Sequence, residues 1–277
     1  MGTLYLVSTP IGNLEDLSVR GARLLREANR ILAEDTRRTR ILADHVGSVA
    51  PLVSLHEHNE AGRTEQILGW LGSDEALVLV SDAGTPLVSD PGARTVAAVA
   101  EAGHTVVPIP GASAVLAALV GSGLPSETFA FLGFPPRKGG ERETLLNRVA
   151  TSDETVVLFE SPHRLVALLE ELEALCGAGR SVAVARELTK VHEEFTRGTL
   201  VEARRYYEAH PPKGEVTVVV APRDNAPVDP RVLEEDARVL ARALLEEGGR
   251  PSGVAREVAR RLEIPKNTAY RIVHELE

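Results

Sequence analysis

Leu79-Val80-Ser81-Asp82-Ala83-Gly84-Thr85-Pro86-Leu87-Val88-Ser89-Asp90-Pro91-Gly92 carries an apolar run straight into small residues and proline, then into a helix start. Small residues at the carboxyl end of a strand let backbone N–H and C=O groups approach a ligand closely. The same pattern also serves an ordinary strand-to-helix turn. Two other stretches repeat it. Pro108-Ile109-Pro110-Gly111-Ala112-Ser113-Ala114 is again strand, tight turn and helix, and Thr9-Pro10-Ile11-Gly12-Asn13-Leu14 follows the first strand. Three such turns at one end of a sheet predict the lips of a cleft.

Outward from these turns, β-branched runs alternate with helical-period segments, the pattern of stacked α/β layers. Strands are expected at 3–7, 30–34, 52–55, 76–81 and 104–108, with helices near 19–28, 36–45, 60–71, 92–102 and 113–121. Ser18 is the expected N-cap of the first helix and Gly103 the residue beyond the end of the fourth. Gly121-Ser122-Gly123-Leu124-Pro125 reads as a domain linker. A second α/β set has strands at 128–132, 155–159, 181–186 and 215–221, with helices near 141–150, 163–175 and 200–209. Pro222 to Pro230, with three prolines, reads as a second linker, and 231–277 as three helices. The expected organisation is an α/β domain over 1–121, a second α/β domain over 122–223, and a helical tail over 229–277.

Composition bounds the function. With 277 residues, 43% hydrophobic and 26% charged, the chain fits a soluble globular class of two domains. No apolar run approaches the roughly 20 residues that span a bilayer, so no membrane partner is expected. Met1 to Val7 lacks the basic start of a secretory signal and reads as a first strand. The lone Cys176 permits neither an intrachain disulfide nor a cysteine-rich zinc site, so a cytoplasmic location is expected. A net charge of −9 argues against binding nucleic acid over the whole surface. Local basic groups stand out nonetheless: Arg37, Arg38 and Arg40; Arg137, Lys138 and Arg142; and the window from Arg250 to Arg271. Each reads equally well as a solvated face.

Familiar nucleotide signatures are missing. There is no G-x-x-x-x-G-K-[ST], and Gly121-Ser-Gly-Leu-Pro-Ser126 lacks the third glycine of a dinucleotide fingerprint and follows a helix. A nucleotide-like cofactor would need a site of another kind.

The blocks Ser8-Thr-Pro-Ile-Gly-Asn-Leu-Glu-Asp-Leu-Ser18, Glu34-Asp-Thr-Arg37, Ser54-Leu-His-Glu-His-Asn-Glu60 and Ser81 to Gly92 resemble one bacterial family. So do Glu160-Ser-Pro-His-Arg164, Ala185-Arg-Glu-Leu-Thr-Lys190 and Gly214-Glu215. That family is the small-subunit ribosomal RNA cytidine 2′-O-methyltransferases, a branch of the tetrapyrrole methylases, and the likeness runs in order over residues 3–222. The tetrapyrrole branch carries G-x-G-P-G after its first strand, whereas this chain has Thr9-Pro-Ile-Gly-Asn13, which favours the RNA branch.

The resemblance implies two α/β domains with S-adenosyl-L-methionine bound folded in the cleft between them. Carried to matching positions, Pro10, Asp82, Ala83, Gly84, Thr85 and Val88 would contact the cofactor. Ser113 and Ala114 would close over it, and Phe159 and Glu160 would face it from the second domain. Glu215-Val216-Thr217 would touch its adenosine. The implied substrate is the cytidine at position 1402 of 16S ribosomal RNA in the 30S subunit, and the implied assembly a homodimer. Asp82 or Glu160 would complement a positive sulfonium. A ribose hydroxyl is a poor acid, so a base, or a cation stabilising the developing alkoxide, would help. Lys190 and Glu187 are the candidates, with a structural ion pair as the competing reading.

His56-x-His58 invites a metal reading, but two histidines alone make a thin site, and no metal is expected. RNA contact by His56, His58 or Asn59 is the preferred reading. Aromatics amount to only 4%, so no stacking platform is evident, and the planes of Arg37, Arg38 or Arg40 are the substitutes. Arg137 and Lys138 complete the expected RNA contacts on the main body. In the tail, Val254, Val258 and Leu262 share a face, Pro265 marks a turn, and Ala269, Ile272, Val273 and Leu276 form the next stripe. This resembles a helix-turn-helix, with Lys266, Asn267 and Arg271 facing solvent. A packing module is the alternative there. For the whole chain, the alternatives are a porphyrin or corrin methyltransferase and a nucleic-acid-binding regulator.

Residues 1–228 hold 22 basic and 30 acidic side chains, a net of −8, while 229–277 hold nine and ten, a net of −1. From Arg250 to Arg271, six basic residues stand against Glu257 and Glu263. Truncation after Arg223 is therefore expected to leave a folded protein that binds S-adenosyl-L-methionine but holds RNA less tightly. The salt slope of RNA binding should become shallower by roughly two to four contacts. Titration of both proteins at several salt concentrations checks this; full affinity with an unchanged slope would make the tail a packing module.

Overall fold

A computed structural model describes residues 2–223, 230–246, 249–262 and 264–276. Residues 224–229, the middle of the expected second linker, lie outside the described residues. By contacts the chain falls into two compact units, Met1–Arg223 and Asp224–Glu277.

In the first unit, strands and helices alternate: β1 (Thr3–Val7), α1 (Val19–Glu27), β2 (Arg30–Ala33), α2 (Thr36–Val46), β3 (Leu52–Ser54), α3 (Glu60–Gly72), β4 (Ala76–Val80), α4 (Ala93–Glu101) and β5 (Thr105–Ile109). The five strands form one sheet in the order β3-β2-β4-β1-β5, every pairing parallel. Parallel sheets bury both faces under crossover helices, and β4 shows the consequence: Leu77 and Leu79 face one core, Val78 and Val80 the other. Leu24, Leu25 and Leu42 of α1 and α2 cover one face, and Ile67, Leu71 and Val99 of α3 and α4 cover the opposite one. Each fully buried leucine contributes about 1.5–3 kcal/mol. The connections after the adjacent strands β1 and β4 depart in opposite directions along the sheet. Their carboxyl ends therefore form a topological switch point, where open α/β sheets bind ligands.

Ser18 and Gly103 take the expected places at helix ends, and Asp35 caps α2. Ser18 Oγ accepts from Gly21 N at 3.0 Å, Asp35 accepts from Arg37 N at 2.9 Å, and Gly103, at φ +80°, follows the end of α4.

The second sheet is mixed. It is built from β6 (Phe129–Phe131), β7 (Thr155–Glu160), β8 (Ser181–Arg186), β9 (Glu194–Thr199) and β10 (Val216–Val220), in the order β6-β7-β10-β8-β9. The helices α5 (Ala114–Ser122), α6 (Gly140–Thr151), α7 (Leu165–Cys176) and α8 (Leu200–Ala209) flank it. Leu146, Leu168, Leu172, Leu200 and Tyr207, from α6, α7 and α8, cover one face. Val115, Ala118 and Leu119 of α5 cover the other, against Val157, Ala183 and Val219. The chain thus changes core ahead of α5, and Gly121 to Pro125 follows that change.

Two features differ from the sequence reading. Strand β9 was not expected, because Glu194-Phe-Thr-Arg-Gly-Thr199 carries no apolar run. It pairs antiparallel with β8 at the sheet edge, where Arg186 bridges to Glu194 at 2.8 Å. Gly121, read both as the end of the expected helix and as the start of the linker, lies in the last turn of α5 against the Phe195 ring of β9. Arg197 of β9 caps the helix end, its Nε donating to Gly121 O and Ser122 O at 3.1 Å.

The second unit contains α9 (Pro230–Glu246), α10 (Pro251–Arg261) and α11 (Lys266–His274). Ala237 and Ala241 pack with Val254, Val258, Ile264, Ala269, Ile272 and Val273, so α10 and α11 meet along the stripes expected of them. Lys266, Asn267 and Arg271 are exposed, and Arg271 pairs with Glu275 at 3.0 Å. No helix among the described residues is long and apolar enough to cross a membrane.

A methyl group at position 121 would drive into the Phe195 ring. Gly121→Ala is therefore expected to destabilise the protein by about 1–3 kcal/mol despite the better helix propensity of alanine. Adding Phe195→Leu should recover part of the loss. Urea unfolding of both variants checks this, and a stabilised Gly121→Ala protein would contradict it.

Candidate active site

The three strand-end turns are laced together by main-chain and hydroxyl hydrogen bonds. Thr9 N donates to Gly84 O at 2.8 Å and Gly84 N donates to Thr9 O at 3.0 Å, an isolated antiparallel bridge joining the β1 and β4 turns. Thr9 Oγ1 donates to Ser81 O at 3.2 Å. The Thr85 hydroxyl donates to Ala112 O at 3.1 Å, and Ser8 Oγ to Ile109 O at 3.3 Å, which draws in the β5 turn. The approach at Gly111 is so close that a Cβ there would lie 2.8 Å from Ser8 Cβ.

The segment after β4 is conformationally costly. Gly84 sits at φ +80°, and Leu87 and Ser89 sit at φ +72° and +67°. Left-handed geometry at such residues costs about 1–3 kcal/mol each and persists only where surroundings over-determine it. A second such segment lies opposite, with Glu187 at φ +52° and Thr189 at φ +65°.

A cavity of about 420 Å³ lies against the first of these segments, within the range of small-molecule sites. The first sheet contributes Asp82, Ala83, Gly84, Thr85, Val88, Ser113 and Ala114, and the second contributes Phe159 and Glu160. Because β10 runs antiparallel to β7, Val216 and Thr217 stand beside Glu160 and Phe159, so Glu215, Val216 and Thr217 complete that wall. Pro10 does not line the cavity; its neighbour Ile11 does. Sequence reasoning did not single out Ile11, Asp90, Phe134 or Gly214, which also line it. Asp90 and Gly214 lay in view within the Ser81–Gly92 and Gly214-Glu215 blocks, whereas Phe134 reaches the cavity only through the fold.

The wall is acidic. Glu160 has a fully buried side chain whose Oε1 pairs with Arg164 at 2.5 Å and accepts from Ser161 N at 2.7 Å. Its Oε2 is buried with no partner, an acceptor at the cavity that lacks a donor. Asp82 accepts from Asp35 N at 3.0 Å and lies 3.6 Å from Arg38. Burial, followed by the charges of Glu34 and Asp82, pushes the Asp90 carboxyl up to about 6. Burial and the charge of Asp82 also raise Glu34. Such a site suits a cationic, partly apolar small molecule.

Lys190 and Glu187 are brought together beside this wall. Lys190 Nζ donates to Glu187 Oε1 at 2.7 Å and to Glu215 Oε2 at 3.2 Å. Glu187 Oε1 also accepts from Glu215 N at 2.9 Å. Gly12, at the tip of the β1 turn, packs on the stem of Lys190, where a Cβ would collide with Cγ. Burial works to lower the Lys190 ammonium, but hydrogen bonds and charge from Glu187 and Glu215 outweigh it and hold the group above its ordinary value. The hydrogen bond from Lys190, then that from Glu215 N, lowers Glu187. At neutral pH the pair is an ammonium held by carboxylates, not a free base.

The expected RNA-contacting residues are scattered. Arg37 is highly exposed but folded back on Asp35, with Nη2 to Oδ2 at 3.0 Å. Arg38 leans on Asp82, and Arg40 is exposed. Asn59 serves its own loop, accepting from His56 N at 2.9 Å and donating to Ser54 O at 3.2 Å. The His56 and His58 rings stand 6.0 Å apart, and His56 Nδ1 is buried without a partner. Arg137 and Lys138 are exposed on the loop before α6. Arg271 belongs to the second unit. Among the described residues no group of three or more His, Cys, Asp or Glu side chains is arranged to hold a metal ion.

Comparison with known proteins gives these features a context. The family profile of the tetrapyrrole (corrin/porphyrin) methylases matches residues 3–204. A Synechocystis protein named ribosomal RNA small subunit methyltransferase I is 45% identical over 280 residues, covering 100% of this chain and 99% of its own. A Halalkalibacterium halodurans protein of the same name is 40% identical, covering 99% and 95%. Among solved structures, the Thermus thermophilus uroporphyrin-III C-methyltransferase complexed with S-adenosylhomocysteine superposes with a TM-score of 0.56. It shares 24% identity and covers 79% of this chain and 97% of its own, a likeness of fold.

Asp90 supplies a test of the cavity's electrostatics. A carboxyl raised to about 6 favours the folded state fully below roughly pH 4, and that contribution is lost as pH rises through 6. Asp90→Asn removes the charge. The ligand-free variant should be more stable than wild type at pH 8 by about 1–2 kcal/mol, allowing for partial exposure. The difference should vanish near pH 4. Urea unfolding at both pH values checks this, and a constant difference would contradict it.

Proposed function

Because the chain belongs to the tetrapyrrole methylase family, in the group of the ribosomal RNA small subunit methyltransferases I, we propose that it transfers a methyl group from S-adenosyl-L-methionine to the ribose 2′-hydroxyl of a cytidine in 16S ribosomal RNA. Its substrate is the RNA in the 30S subunit, and it acts as a homodimer. What most supports the RNA reading is agreement with the small-subunit methyltransferases over the full chain, at 45% identity. The tetrapyrrole enzyme from Thermus thermophilus shares only 24% and covers 79% of this chain.

The cavity fits the cofactor. Glu160 Oε2 offers a buried acceptor without a donor, and the carboxylates of Asp82 and Asp90 complement a positive ligand. Phe159, Val88 and Ala114 supply apolar walls, and the positive-φ turn at Gly84 lets the backbone come close. S-adenosyl-L-methionine supplies a methyl group already activated on a sulfonium. The chain's own residues bind and orient it, exclude water, and place the ribose oxygen in line with the methyl carbon.

Lys190 acts on the hydroxyl as a cation. Held protonated by Glu187 and Glu215, it stabilises the negative charge that develops on the 2′-oxygen as the hydroxyl proton passes to solvent water. Glu187 keeps the ammonium in place, and the Lys190 hydrogen bond, by holding its carboxyl below the ordinary glutamate range, makes it a poor proton acceptor.

Incubation with undermethylated 30S subunits and labelled S-adenosyl-L-methionine should yield 2′-O-methylcytidine after nuclease digestion. Label on a tetrapyrrole, or on a base atom, would contradict the assignment. Lys190→Ala should reduce turnover by about 10²–10³ while leaving cofactor affinity nearly unchanged, and Lys190→Arg should retain more activity than Ala. Equal loss of cofactor binding and turnover would make Lys190 a structural residue.

A further inference from the structure

Two of the chain's few aromatic rings, Phe134 and Phe159, line the cavity. Phe131 and Phe159 meet edge to face at 4.8 Å, and Phe159 meets Phe134 at 5.3 Å. The ladder begins in the core under the second sheet and ends at Phe134, which lines the cavity yet is 55% exposed. An exposed phenylalanine ring costs hydrophobic free energy unless something covers it. Here the ring is also held still. Gly133, at φ +67°, turns the chain after β6, and Pro135 and Pro136 stiffen the loop beyond the ring. Both proline carbonyls are clamped. Arg142, buried and bidentate on Glu171, donates to Pro136 O at 2.8 Å. Arg164 donates to Pro135 O at 3.3 Å while pairing with Glu160. The loop that presents the ring is thus tied to the same carboxylate that bounds the cavity. Arg137 and Lys138 come next on that loop, exposed, and neither enters an ion pair among the described residues.

We propose that Phe134 is a preorganised stacking platform for the nucleobase of the target nucleotide, with Arg137 and Lys138 engaging the adjoining phosphates. An unpaired base presents a planar face to an aromatic ring, and cations beside that ring match the backbone the base hangs from. A ring whose outer half faces solvent receives a macromolecular substrate from outside, whereas a small cofactor is enclosed by the cavity behind it. The ladder through Phe159 links base position to the cavity wall, so stacking also sets the ribose near the transferable methyl. The inference rests on the RNA reading given above.

The test uses the full chain, undermethylated 30S subunits and labelled S-adenosyl-L-methionine, with S-adenosylhomocysteine affinity measured separately by calorimetry. Phe134→Ala and Phe134→Leu should raise KM for the subunits by roughly five- to 150-fold, the equivalent of one stacked base, while S-adenosylhomocysteine affinity changes by less than about twofold. Phe134→Tyr, which keeps the ring face, should lose far less in KM than either and keep the wild-type unfolding midpoint. An equal fall in S-adenosylhomocysteine affinity would mean that the ring serves the cofactor, and the proposal would be overturned. So would an unchanged KM in Phe134→Ala, or a Phe134→Leu protein as good as wild type, which would reduce the ring to apolar bulk. Wild-type protein that leaves the subunits unlabelled would instead remove the RNA reading itself, and the stacking role with it.

Discussion

The reciprocal backbone bridge between Thr9 and Gly84 fixes the end of the first sheet. Without it, the turns after β1 and β4 would be two independent loops over a switch point. With it, and with the Thr85 hydroxyl on Ala112 O, three turns become one surface. That surface holds Leu87 and Ser89 in left-handed geometry and brings the backbone of Gly84 to the cavity. It also sets Gly12 against the stem of Lys190, so the placement of the ammonium depends on the same lacing. Side chains alone would not fix these positions, because most residues of the turns are small.

Charge is divided by task. The cavity wall carries Asp82, Asp90 and Glu160, and burial, then the charges of Glu34 and Asp82, raise the Asp90 carboxyl. Such a wall repels a phosphate backbone and favours a cation. The exposed cations stand outside it, on the loop of Arg137 and Lys138, on Arg40, and in the helical unit. A net charge of −9 is therefore compatible with an RNA substrate, since the contacts need only be local. Lys190 lies beside the wall, its charge balanced by the carboxylates of Glu187 and Glu215.

The sequence was most informative where a local pattern and a physical need coincide. β1, β4 and β5 show as apolar runs because a parallel sheet buries both faces, and the turns after them show as small residues because a ligand must approach backbone. What escaped is non-local. β9 is an edge strand stabilised by Arg186, by Arg197 on the end of α5, and by Phe195 over Gly121, partners eight to more than seventy residues away. Gly121 looked like a breaker because its packing partner lies far along the chain. Lys190 and Glu187 were visible as neighbours, but Glu215, which the resemblance assigned to the adenosine, also pairs with Lys190. Aromatic content suggested no stacking surface, since composition counts rings and the fold gathers three of them at one place.

The central claim is that the laced turns and the Phe159–Glu160 strand end together hold S-adenosyl-L-methionine. A crystal structure of the chain with S-adenosylhomocysteine tests it most directly. The account predicts ligand density between Asp82–Thr85, Ser113–Ala114 and Phe159–Glu160, with a donor of the ligand on the free Glu160 Oε2. Density elsewhere on the molecule, or a ligand in the cavity that leaves Glu160 Oε2 unpaired, would contradict it.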